Sequence, residues 1–437
     1  NLGWSYADVL PYFKRYENRI GEHDTTYRGT DGEQTVTDLE WRHPLCDAFI
    51  KAAVGIGIPE NKDYNGGIQE GVSYVQRTTK GRLRVSAAKA FLNPAKKRRN
   101  LSIRTNAHVM RIELEGKRAT AVRYAVGGRH GVEHVVEARR EIILSAGTIN
   151  SPHILQLSGI GPKELLDDLG IEVKHHLPGV GENLRDHYAP RFTARAKNIS
   201  TINELSRGPR LWAEIGKYLL GKQSIIGLGP TLVYAFWHSN EAIRNHDLQL
   251  TFAPASYKEG VQSQLDNEPG FTVASWQQRP ESLGWVKARS ADPFDKPRIQ
   301  PNYLSAEEDK RVLLAGMRLC RRIMATPELA PYLDYEQYPG EHIQRDDELL
   351  QVARERGTTT YHLMGACRMG PDSDPTAVVD SDLRVKGIKG LRVADASIMP
   401  TMLSSNLNAG ALMIGEKASD LVLGKEPLEP IMDAIQH

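Results

Sequence analysis

The 437-residue chain reads as an α/β protein of two units, one an α/β sheet and the other an α+β unit built mainly on antiparallel sheet. Three observations predict it. Ile142-Ile143-Leu144 is an unbroken apolar run, as expected of a strand covered on both faces. Three alternating segments joined by tight turns precede it, and α/β character returns after Thr358. Between them, from about Phe192 to Glu355, strands and helices follow a less regular order. A length of 437 residues also suits two or three structural units.

The elements follow in order. Tyr6, Val9, Leu10, Phe13 and Tyr16 recur at helical spacing, so residues 1–20 are expected to hold a short helix. Residues 22–45 are polar and Gly-rich, hence loop; Leu45 to Val54 suggest a second helix. Pro59 to Gly71 is loop again, with a turn at Asn65-Gly66-Gly67. Val109 to Leu114, Ala121 to Tyr124 and Val132 to Ala138 form a predicted meander, turned at Glu115-Gly116-Lys117 and Gly127-Gly128. Further on, helices are expected at Leu211–Leu220 and Ala306–Met324, with strands near Leu248–Phe252 and Thr272–Gln277.

Composition narrows the function. Lys and Arg number 56 against 54 Asp and Glu, which gives no nucleic-acid surface. Cys46, Cys320 and Cys367 are odd in number and far apart, which argues for a reducing, cytoplasmic setting. No apolar run is long enough for a transmembrane segment, and a peripheral membrane contact is left open. The chain starts at Asn1 with no leader features, and a segment upstream is expected to be missing.

Three motifs carry chemistry. Gly147 to Gly161 follows the buried strand: small residues let a flat ligand approach, Ser151 can cap a helix, Pro152 fits its first position and Gly159 stops it. Leu391 to Ala396 is a short strand that delivers Asp395 at its C-terminal end, the edge where α/β sheets bind nucleotides. His362 and Asn406 form the third, the latter just ahead of an apolar helix from about Ala411 to Leu423 that Gly424 ends. A helix start there suits the negative charge of a reduced flavin. His362 offers a base, and Asn406 can donate to an alkoxide. Taken singly, each has a plainer reading: a strand–turn–helix, a capping Asp, a structural histidine and a helix cap.

Together the segments resemble the glucose–methanol–choline (GMC) oxidoreductases. Gly147, Thr148, Ser151, Pro152, Ile154 and Leu155, followed by Ser158 to Gly161, match every restricted position of that family's second signature. Gly3-Trp4-Ser5, Arg84 to Pro94, Pro178 to His187 and the tail from Tyr361 to Leu423 agree, so the likeness covers essentially the whole chain. The tail most resembles choline dehydrogenases and related alcohol dehydrogenases, with Ser405 where that branch usually has glycine.

The resemblance implies a Rossmann-like FAD-binding unit from residues 76–190 and 358–427, and a substrate unit from 1–75 and 191–357. It implies FAD as cofactor and a small-molecule alcohol as substrate, oxidised by hydride transfer to the flavin. A quinone-like carrier or oxygen would then take the electrons. Carried over by position, His362 is the catalytic base and Asn406 its partner; Val109 meets the adenine through its backbone. Asp395 and Ala396 lie by the ribityl–pyrophosphate stretch, and Asn408 and Ala409 beside the flavin ring. The family's opening G-x-G-x-x-G is absent here. Rival readings are a hydroxynitrile lyase on the same scaffold, a non-catalytic flavoprotein, and a metal site at His175, His176, Asp186 and His187; the spacing of these four fits no zinc site, and no metal is expected. No charge pattern resembling a quaternary-ammonium cage stands out in residues 191–357, where Trp212, Trp237, Trp276 and Trp285 could supply aromatic walls.

Overall fold

Helical spacing and strand alternation place most elements of the computed structural model where the sequence puts them; it describes residues 1–243, 245–258 and 261–432. The first helix spans Tyr6–Tyr16, opened by a reciprocal cap between Ser5 and Asp8. The second spans Pro44–Gly55. The region read as loop between them holds a short strand, Gln34–Asp38. The meander forms as Ala107–Glu115, Arg118–Val126 and Val132–Glu137, paired antiparallel in that order.

Ile142–Leu144 pairs in parallel with Leu391–Val393, although 247 residues separate Leu144 from Leu391 (391 − 144). Its cover differs from expectation. Ile142 and Leu144 are buried, but Ile143 is 43% exposed. One face is packed among the described residues, not two. Three consecutive apolar residues carry no alternation, so their sequence cannot tell one covered face from two.

The helix that follows also starts earlier than read. It spans Gly147–Leu157, with Ser151 and Pro152 inside it. Ser151 serves the helix start from within: its hydroxyl accepts from the Ala146 N–H at 3.1 Å and donates to Asp395 Oδ2 at 2.6 Å. Gly159 follows the helix with a positive φ, as expected.

The second unit is a six-stranded antiparallel sheet. Its spatial order is Leu333–Tyr338, Arg191–Ala196, Gly270–Gln277, Leu248–Ala253, Val233–Trp237 and Gly71–Tyr74. Only the Gly270 and Leu248 strands match the expected ones; Arg191–Ala196 and Leu333–Tyr338 carry charged residues through the strand, Gly71–Tyr74 is short, and Val233–Trp237 follows a Gly-rich stretch. Alternation splits the faces. Phe192, Val233, Leu250, Phe252, Phe271 and Val273 are buried with the helices Glu307–Met324 and Pro44–Gly55. Each such side chain contributes about 1.5–3 kcal/mol by leaving water. The opposite face looks into a cleft.

Two main hydrophobic clusters result. One draws on residues 39–75 and 192–353, the other on 112–180 and 364–418. Val9, Tyr12 and Tyr16 join the second, and Arg15 reaches Glu416 and Asp420 at 2.7 and 2.6 Å. The first helix therefore packs against the C-terminal helix Asn408–Leu423, away from the unit to which the sequence assigned it. Its apolar stripe has no feature that names a partner.

The units are stitched at Gly181. Its N–H donates to Ala366 O at 2.8 Å, and its carbonyl accepts from Val286 N–H at 2.7 Å. The buried Gln156 amide donates to the carbonyls of Val180 and Val286 and accepts from Ala288 N–H at 2.7 Å. Gly181 has φ +90°, and a Cβ there would lie 2.1 Å from Val286 O. Gly181→Ala should cost roughly 2–4 kcal/mol, read from urea unfolding, because backbone must move on both sides. An unchanged midpoint would show that this junction is not rigid.

Candidate active site

His362 follows a sharp turn. Tyr361 has φ +63°, a left-handed conformation strained for a bulky side chain, and its N–H is held by Thr359 Oγ1 at 2.8 Å. The His362 N–H donates to Asp186 Oδ1 at 2.8 Å. Asp186 also accepts from Tyr303 at 2.5 Å and from Thr359. Burial pushes this carboxyl above its usual range.

The proton positions on the rings follow from their partners. His187 Nε2 lies 2.7 Å from the Gln278 carbonyl oxygen. A carbonyl only accepts, so that nitrogen carries a hydrogen. Burial holds His187 neutral, its pKa pushed down to about 3, so its Nδ1 is a bare acceptor. Nδ1 of His362 stands 2.9 Å away and must donate to it. Thr360 Oγ1, 2.8 Å from the same nitrogen, can share that hydrogen because it donates its own to the His187 carbonyl. Nε2 of His362 is thereby left with a free lone pair.

Asn406 faces that lone pair. Its Nδ2 lies 2.9 Å from His362 Nε2, and its Oδ1 accepts from Gln249 Nε2 at 3.2 Å, which fixes the amide's orientation. The loop before it is held by Gln278 and Arg279 on Ser404. Sequence reasoning named this pair, and the fold brings it together across 44 residues (406 − 362). It missed the roles of His187, Thr360 and Gln249. The Asp186-His187 pair, ending the Pro178–His187 segment, was the available signal.

The pair opens onto a cleft of about 1410 Å³. Its floor is the free face of the six-stranded sheet, including Arg191, Thr193, Tyr234, Thr251, Ala274 and Trp276. The Trp276 ring meets His362 edge-on at 6.2 Å. Among the four tryptophans considered as walls, Trp276 lines the cleft and Trp212 is 73% exposed on the surface.

On the other unit, the ends of the parallel strand pair form a ledge. Asp395 ties them: Oδ2 accepts from Gly147 N–H at 2.9 Å and from Ser151, and Oδ1 accepts from Ser397 N–H at 2.8 Å. Both carboxylate oxygens thus serve the protein, where the sequence had assigned Asp395 to a cofactor contact. Gly147 has φ +81°, and a Cβ built on it meets nothing within 4 Å, so the ledge is open to a flat ligand. Ala396 is partly buried in a short helical turn. The helix starting at Asn408 has no side-chain cap, and Asn408 and Ala409 are exposed. Its first N–H groups remain available to an electron-rich edge. An open ledge and an uncapped helix start fit a dinucleotide bearing an isoalloxazine ring.

Val109 lies on the first meander strand, where the ladder skips Met110 between Val109 and Arg111. The residues of the rival metal reading point to different partners. His175 binds Lys386 O at 2.9 Å, whereas Asp186 and His187 turn to His362.

A ledge for a dinucleotide facing a sheet-floored cleft defines the class: a cofactor-dependent oxidoreductase. The chain belongs to the GMC oxidoreductase family, which it matches over residues 1–189 and 280–415. FAD is its cofactor, and alcohols are its substrate class. It is 40% identical over 436 residues to an oxygen-dependent choline dehydrogenase of Vibrio vulnificus (strain YJ016), covering 98% of this chain and 76% of that protein. It is 40% identical over 430 residues to the mitochondrial choline dehydrogenase of Homo sapiens, covering 98% and 71%. Pyridoxine 4-oxidase from Mesorbium loti shares the fold with TM-score 0.85 and 27% identity, covering 98% of this chain and 79% of that one. The N-terminal match begins at residue 1 and lends no support to the expectation of a missing upstream segment.

Burial holds His362 at about 4 and His187 at about 3, both below the 6.5 of an exposed imidazole. A depressed histidine stabilises the fold fully above about 6.5, and that stability is lost as pH falls toward the folded value. Urea midpoints should therefore fall between pH 6.5 and 4, with His362 contributing on the order of 3 kcal/mol. A flat profile in wild type, or one unchanged in His362→Phe, would contradict the buried neutral pair.

Proposed function

We propose that the chain oxidises the CH–OH group of an alcohol to an aldehyde or ketone, with His362 as the base and Asn406 as the alkoxide donor. The single observation behind this is the 2.9 Å pairing of Asn406 Nδ2 with a His362 Nε2 whose lone pair is fixed by His187. A substrate oxygen replaces that direct bond. It gives its proton to Nε2 and accepts a hydrogen bond from the Asn406 amide. Bound FAD supplies the acceptor for the hydride leaving the carbinol carbon. As negative charge gathers on the substrate oxygen, the amide and the newly protonated imidazole stabilise it.

The FAD would be held by residues 76–190 and 358–427. Val109 would meet the adenine through its backbone, Asp395 and Ala396 the ribityl–pyrophosphate stretch, and Asn408 and Ala409 the ring. The substrate unit would take 191–357 and the part of 1–75 beyond the first helix. Electrons pass to a quinone-like carrier, which a cytoplasmic protein would meet at a membrane surface. Among the described residues no helix is long and apolar enough to cross one. Oxygen is the second reading of the acceptor, favoured by the name of the Vibrio relative.

His362→Ala should lower kcat by about 10²–10⁴ in an alcohol-dependent dye-reduction assay, with the flavin absorbance of the purified protein retained. Undiminished turnover would remove the base assignment. His187→Phe deletes the acceptor that orients the base, together with the donor to the Gln278 carbonyl. It should lower kcat on the order of 10²-fold with KM kept, since the imidazole can then place its hydrogen on Nε2. Wild-type kcat in that variant would show that something else sets the tautomer.

A further inference from the structure

The cleft beside His362 is cationic, and its charges point to the part of the substrate that does not react. Among the described residues its lining carries Arg191, Lys258 and Arg356 against one carboxylate, Glu355. Arg191 is the informative member. It is partly buried at the start of its strand, and among the described residues its side chain's only hydrogen bond is to the Thr358 hydroxyl. Among the described residues no carboxylate forms an ion pair with it, and the ionisable groups that act on it are the phenols Tyr257 and Tyr361. Burial draws its pKa downward, as expected of a guanidinium without a counter-charge.

Other buried arginines in this chain are satisfied differently. Arg19, Arg28, Arg195, Arg321 and Arg392 each meet a carboxylate. Arg77 and Arg185 donate to backbone carbonyls, and Arg279 to carbonyls and a hydroxyl. Arg191 has neither arrangement and lines the cleft that His362 opens onto. A guanidinium presents five N–H donors in a planar fork, and most of these are unused here.

Position gives the reach. Arg191 pairs in register with Ala274, two residues before Trp276, whose ring abuts His362. Two residues of strand span about 7 Å, and both side chains share the cleft face. Arg191 and His362 line one cleft, so a ligand with its hydroxyl at His362 and an anionic group farther along the sheet floor would reach both.

We propose that Arg191 binds a carboxylate on the substrate, so that the preferred alcohols are hydroxy-carboxylates and not cationic amino-alcohols. This rests on the alcohol-oxidation reading above and adds to it the class of substrate. A bidentate carboxylate supplies the missing counter-charge and uses the idle donors. A quaternary ammonium would meet like charge from the same side chain.

The test uses the full chain loaded with FAD and three probes in a dye-reduction assay: 4-(hydroxymethyl)benzoate, benzyl alcohol and choline. Calorimetry with benzoate, which has no hydroxyl to oxidise, reads the anion site without turnover. Wild type should favour 4-(hydroxymethyl)benzoate over both other alcohols by at least about tenfold in kcat/KM. Arg191→Gln should shrink that preference about tenfold or more, mainly through KM, and weaken benzoate binding in parallel; Arg191→Lys should restore part of both. A higher kcat/KM for choline, or benzoate bound equally by wild type and Arg191→Gln, overturns the proposal. If none of the alcohols is oxidised, the reading of the base and its partner fails, and the calorimetry still decides whether Arg191 holds an anion.

Discussion

One hydrogen bond governs what the site can do: the His187 Nε2 hydrogen on the Gln278 carbonyl at 2.7 Å. Because that acceptor cannot donate, every later proton in the chain His187–His362–Asn406 has only one place to sit. A main-chain carbonyl cannot flip or titrate, which makes it a firm reference for two neutral rings. Gln278 follows the buried strand Gly270–Gln277, and its N–H is itself held by the Asp247 carbonyl. The central sheet thereby sets the orientation of a side chain on another segment.

This arrangement needs both units in register. His187 ends the segment that carries Gly181, His362 follows a strand paired to Tyr188-Ala189, and Asn406 precedes the C-terminal helix. Two constraints hold these pieces: the close backbone approach at Gly181, and the Asp395 carboxylate binding Gly147 and Ser151 across the parallel strands. Asp395 illustrates how a motif residue can shape a site through the backbone it holds. Its tie keeps the Gly147 ledge open and aimed, which is the property a flat cofactor needs.

Much of this was legible in the sequence, for identifiable reasons. The meander declared itself through alternation and Gly turns, the long helices through their apolar stripes, and the C-terminal helix through Gly424, which is left-handed as a helix stop should be. The His362–Asn406 pair was legible only through the resemblance, since nothing local joins residues 44 apart (406 − 362). What stayed hidden was non-local. The strands at Arg191 and Leu333 are defined by the neighbours they pair with, and Ile143 looks buried by composition while one face of its strand is bare. The role of His187 depends on a carbonyl 91 residues away, which no spacing rule encodes (278 − 187).

The pKa of His362, about 4, is low for a base acting on an alcohol, but the same burial cuts both ways. Desolvation disfavours a lone imidazolium, and it equally strengthens the attraction between an imidazolium and an alkoxide formed beside it. The charge pair therefore arises together or not at all. His362 can accept the proton without breaking its Nδ1 contact to His187, so the neutral and protonated rings share one orientation. Asn406 adds a donor that cannot compete for the proton. Base strength in the protein without its substrate is thus a poor guide to what the pair can do. In the proposed reaction this buried, pre-oriented geometry lets His362 take up a proton only beside the substrate oxygen that gives it, which couples chemistry to occupancy of the cleft.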